Sequence, residues 1–152
     1  MGIEPRIRPL VDALNATGLV ETFTSCEGHY DGAGGPSCRE QAYVGFVLRE
    51  GVPEEDLARF LESIVPDPRL CGAAEAELTI AKHHVPPIEG ARPEVFFEVV
   101  VRPLDARAPS ASKRSETDRM LALVTRVIWA RAPRAGRTGR LPLAAGHLPR
   151  HG

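Results

Sequence analysis

Residues 42–49 (Ala-Tyr-Val-Gly-Phe-Val-Leu-Arg) limit what this chain can fold into more than any other stretch. Val44, Phe46 and Leu48 alternate with Tyr43, Gly45 and Val47, so a strand here is apolar on both faces and must be well covered. Such a strand needs partners, and the flanking chain supplies them. Residues 20–25 are β-branched and aromatic without Gly or Pro, which reads as a first strand. Residues 76–85 read as a third, with Leu78 and Ile80 on one face and Glu77, Thr79 and His83 on the other. Residues 94–102 read as a fourth, where Phe97, Val99 and Val101 share a face opposite Phe96, Glu98 and Val100.

Helical spacing fills the gaps. Ile7, Leu10, Val11 and Leu14 mark a helix over residues 5–16, with Pro5 tolerated in its first turn and Gly18 just past its end. Pro53 and the acids Glu54, Glu55 and Asp56 open a second helix, in which Leu57, Phe60, Leu61 and Ile64 form the apolar stripe. Pro66-Asp67-Pro68 stops it. Residues 105–112 read as a polar linker, followed by capping character at Ser115-Glu116-Thr117-Asp118. Met120, Leu121, Val124, Val127 and Ile128 then stripe a third helix ending near Arg131. Two strand pairs separated by single helices predict one α+β domain over residues 1–131. Its core would be a single antiparallel or mixed sheet of about four strands, with three helices packed mainly on one face. Residues 132–152 are rich in Pro, Gly, Ala and Arg and carry no acid, which predicts a disordered tail.

Composition narrows the function. A formal net charge of −1 over 152 residues gives no global field steering the chain to a polyanion. No apolar run approaches the roughly 20 residues of a membrane-spanning helix, and the first residues lack the order of a signal peptide. Three cysteines, Cys26, Cys38 and Cys71, give no disulfide framework. These features predict a cytoplasmic protein without membrane partners.

Chemistry concentrates where the first strand ends, at Cys26-Glu27-Gly28-His29, ahead of a connection running to residue 41. Hairpin loops are typically about 2–5 residues, and longer ones tend to be functional. Glu27 and His29 are the candidate acid and base, because histidine titrates near neutral pH. Cys26 and His29 could also ligate Zn²⁺, with Cys38 as a third donor and His83 or His84 as a fourth. Cys-x-x-His alone is a weak metal signal, so no metal is expected. The glycines at 32, 34 and 35 mimic a phosphate cradle, but no helix start follows them.

The stretch Leu14-Asn15, Thr22 and Thr24-Ser25-Cys26-Glu27-Gly28-His29 resembles the Asn…Thr-x-Ser-Ser-Cys-Ser-Gly-Arg segment of the tRNA-wybutosine-synthesising methyltransferase family. It is closer still to small bacterial proteins carrying Ser-Cys-Glu-Gly-His after a helix and a strand. The likeness spans residues 10–46, with Glu27 and His29 standing where the family has Ser and Arg. It implies S-adenosylmethionine as cofactor, an RNA or nucleotide-type substrate, and Thr24, Ser25, Cys26 and Gly28 as binding residues. The alternative expectation is a non-catalytic module that binds a small ligand or partner through the same loop.

Overall fold

The computed structural model describes residues 2–31, 40–72, 74–86 and 93–133. The glycines at 32, 34 and 35, Cys38 and the expected tail from residue 134 onward lie outside them. In chain order the elements are α1 (Arg8–Ala16), β1 (Val20–Cys26), β2 (Ala42–Leu48), α2 (Glu54–Ile64), a 3₁₀ turn at Pro68–Leu70, β3 (Ala76–His84), β4 (Val95–Pro103) and α3 (Ser110–Arg131). The strands form one antiparallel sheet in the order β1-β2-β4-β3. Among the described residues no helix is long and apolar enough to cross a membrane.

Register decides which side chains meet the helices. Ala42 pairs with Val101, Val44 with Val99 and Phe46 with Phe97, so these six share one face. On that face they join Leu10 and Leu14 of α1, Leu57 and Leu61 of α2, and Val124 and Ile128 of α3 in a single buried cluster. Leu78 and Ile80 of β3 pack against it, half-buried. The apolar stripes read from the sequence are therefore the ones that close the core, and the α+β arrangement follows from them.

The second face of β2 is covered differently. A register shift between Thr22 and Thr24 makes a β-bulge, so Phe23 and Thr24 both lean over Gly45. Phe23 meets Phe96 edge-on at 5.5 Å, and Phe96 stacks on His83 at 4.7 Å. Aromatic side chains from neighbouring strands thus give this face its cover in place of a helix. It leaves Tyr43 and Val47 only half-buried.

The structure corrects the sequence reading at α3. The helix starts at Ser110, directly after an extended Pro109, and not at the capping sequence five residues later. Its first turns carry no apolar stripe, so periodicity could not find them. They are held by polar reach: Lys113, almost fully buried, pairs with Glu40 at 2.7 Å, and Ser110, Arg114 and Thr117 all bond the chain that follows β1.

A buried carboxylate ties the far end of α3 down. Asp67, 1% exposed in its side chain, accepts from Arg69 Nε at 2.9 Å and Nη2 at 2.8 Å and from Arg131 Nε at 3.0 Å. The Arg69 side chain first, then its backbone N–H and Arg131, hold the Asp67 carboxyl well below the usual carboxylate range. A folded-state pKa below the unfolded one means that this contribution to stability is present above about pH 4 and lost as pH falls below it. Thermal melts of the wild type and of Asp67→Asn should therefore differ near neutral pH and converge toward pH 2. At Gly45, a Cβ would sit 2.6 Å from Thr24 Cγ2, so Gly45→Ala should cost about 1–3 kcal/mol by denaturant titration. Adding Thr24→Ala should recover part of that loss.

Candidate functional site

β1 runs one residue further than its sequence pattern, ending at Cys26. Past the bulge, Ser25 lies opposite Val44 and Cys26 opposite Tyr43, which sends the two to opposite faces. Gly28 then takes φ +86°, and a Cβ there would meet Tyr30 Oη at 2.8 Å. Only glycine serves at this position, for its dihedral and for its size alike.

Two straps hold the turn. The N-terminal strap is reciprocal: the Glu27 N–H donates to Glu4 Oε2 at 2.8 Å, and Glu27 Oε2 accepts from the Arg6 N–H at 2.9 Å. The other strap comes from α3. Arg114 Nη1 donates to the Gly28 carbonyl at 2.8 Å, and its guanidinium lies 5.1 Å from the centre of the Tyr30 ring. Ser110 Oγ donates to the Tyr30 carbonyl at 2.7 Å, and Tyr30 Oη meets Thr117 Oγ1 at 2.6 Å. Burial of the Tyr30 ring pushes its hydroxyl pKa up, against the lowering effect of Thr117 and Arg114. Arg114 also pairs with Asp118 at 2.7 Å, and Asp118 in turn meets Arg6, linking the two straps.

Within this frame the predicted site residues divide. Cys26 is buried, whereas His29 keeps its side chain 27% exposed and binds Glu4 Oε1 through Nε2 at 2.8 Å. The donor atoms of Glu4, Cys26 and His29 all lie within 4.8 Å of one another, the one such group of three among the described residues. His83 and His84 are on β3, at the other edge of the sheet from β1, and take no part. Glu27 faces a shallow pocket of about 280 Å³ that His29, Tyr30, Ser110 and Arg114 also line. Thr24, Ser25 and Cys26 instead wall a pocket of about 540 Å³, closed by Tyr43, Phe23 and the segment from Gly2 to Glu4. A larger cleft of about 880 Å³ lies beside Gly18 and Leu19, at the opposite end of β1, and holds none of these residues.

Asn15 and Thr22, both part of the resemblance, form a clasp. Asn15 Nδ2 donates to Thr22 Oγ1 at 2.9 Å, and the Thr22 N–H donates to Asn15 Oδ1 at 3.1 Å. Sequence reasoning missed Glu4, Arg114 and Tyr30. Glu4 precedes a proline, and Arg114 falls between the stretch read as linker and the capping sequence at Ser115, so neither carries a periodic signal. Comparison with protein-family models, with curated proteins and with solved structures returns no match.

The bond from Glu27 to the Arg6 N–H makes this carboxylate a structural tie as well as a pocket wall. Glu27→Ala should cost about 1 kcal/mol, the net worth of one such hydrogen bond, and lower the thermal midpoint by about 3 °C. Glu27→Gln, which keeps an acceptor, should recover most of it.

Proposed function

We propose that the chain binds a small nucleotide-like molecule in the pocket walled by residues 22–26. The observation that carries this reading is that residues 22–26, the strand part of the resembling stretch, line one cavity of about 540 Å³, inside the usual range for ligand sites. Thr24, Ser25 and Glu4 offer polar groups there, and Tyr43 and Phe23 offer ring faces for a base. The resemblance makes S-adenosylmethionine the first ligand to consider. Binding is favoured over catalysis because Glu27, one of the two candidate catalytic residues, is committed to the Arg6 N–H and lies on the smaller pocket.

One observation favours methyl transfer as a second reading. His29 is paired with Glu4, which itself lines the pocket of about 540 Å³, so a base stands at that pocket's edge. In that case the protein would position an RNA nucleoside against the sulfonium methyl, and most of its catalytic effect would be orientation.

Calorimetric titration with S-adenosylmethionine, S-adenosylhomocysteine and mononucleotides separates these outcomes. The expected result is a dissociation constant on the order of micromolar for one of them, abolished in Tyr43→Ala while the circular dichroism is kept. No heat with any of them, or binding indifferent to Tyr43→Ala, would reject the pocket. Transfer of a labelled methyl group to tRNA would promote the second reading over the first.

A further inference from the structure

We infer that Glu4, Cys26 and His29 form a three-ligand zinc site on the wall of the pocket proposed for the nucleotide, and that the metal binds there whether or not a nucleotide does. The three side chains offer a carboxylate oxygen, a thiolate sulfur and an imidazole nitrogen, each within 4.8 Å of the other two. Tetrahedral zinc with bonds of about 2.0–2.3 Å needs its donors about 3.5 Å apart. The Glu4–His29 pair, now 2.8 Å apart, would open to admit the ion, while no donor pair in the cluster exceeds 4.8 Å. The donor set selects the metal. Sulfur and imidazole suit zinc, whereas magnesium and calcium demand oxygen ligands. Thiolate and carboxylate together carry two negative charges, enough to neutralise a divalent cation in a half-buried place.

The surroundings hold the ligands in position. Glu4 uses Oε2 to accept the Glu27 N–H at 2.8 Å, which leaves Oε1 toward His29 Nε2. A hydrogen bond of this kind on a ligating carboxylate fixes its orientation. Gly28 turns the chain between Cys26 and His29, and Arg114 pins the turn by its carbonyl. Glu4 Oε1 and His29 Nε2, now 2.8 Å apart, would turn from each other to the metal. On binding, Cys26 releases its thiol proton to solvent and His29 presents Nε2 as a lone pair, so uptake releases protons and strengthens as pH rises.

Three protein ligands leave a fourth position, the arrangement of a reactive centre and not of a closed structural one. Because Glu4 and Cys26 also line the pocket of about 540 Å³, that position opens toward it, where water or a polar ligand atom would complete the tetrahedron. The two-donor count from the sequence predicted no metal. Glu4 is the third donor, contributed by a residue before α1.

The test uses the full-length chain, stripped with chelator and titrated with Co²⁺ alone as an optical substitute for zinc, with zinc content measured in parallel. One equivalent should bind with a thiolate-to-cobalt charge-transfer band and tetrahedral visible bands. Cys26→Ser should erase the charge-transfer band. Since that residue is buried, Glu4→Gln and His29→Gln serve as the second measurement; each should keep the circular dichroism and weaken the metal at least about tenfold. The site is overturned by an absent charge-transfer band, by Glu4→Gln and His29→Gln binding as tightly as the wild type, or by loss of the band in Cys38→Ser or Cys71→Ser instead. Failure of nucleotide binding with the cobalt spectrum intact would reject the pocket and leave the metal site standing.

Discussion

Burial of the α3 stripe against the sheet is the contact on which the remaining structure depends. Val124 and Ile128 are essentially buried against the face formed by Val44, Phe46, Val99 and Val101, and removal of that apolar area from water is the main favourable term. A 22-residue helix seated in this way is rigid, so its position at one end determines it at the other. The Asp67 cluster holds its last turn and the polar turns from Ser110 to Thr117 project beyond the core. They reach the chain after β1 because the hydrophobic half is already in place.

That arrangement changes the meaning of the motif. Asn15 and Thr22 clasp α1 to β1, Gly28 makes the turn, and Glu27 fastens the segment before α1. These residues bear structure more than chemistry. The atoms left facing one another are those of Cys26, His29 and Glu4, two from the motif and one from elsewhere in the chain. A short sequence likeness can therefore come from the frame as readily as from the reacting groups.

The legible parts of the sequence were those governed by period. Leu57, Phe60, Leu61 and Ile64 repeat at helical spacing, and Phe97, Val99 and Val101 alternate, because each set has to face one side. The bulge at Phe23 was invisible, since an extra residue in a strand leaves alternation looking merely imperfect. The start of α3 was hidden for a related reason: Ser110, Lys113 and Arg114 are held by ion pairs and hydrogen bonds to distant partners. Glu4 could not be placed because its proximity to His29 is created by how α1 lies against β1, which no local pattern encodes.

The Asn15–Thr22 clasp also bears on how this protein meets others. β1 is a border of the sheet, and a border strand offers its spare N–H and C=O groups to any extended peptide. Here the Thr22 N–H is already taken by Asn15, the next residue sits in a bulge, and the Glu27 N–H just beyond the strand is taken by Glu4. An incoming strand would have to displace two side chains and straighten a kink before it could zip on. The β1 border is thus guarded against sheet extension by the protein's own side chains.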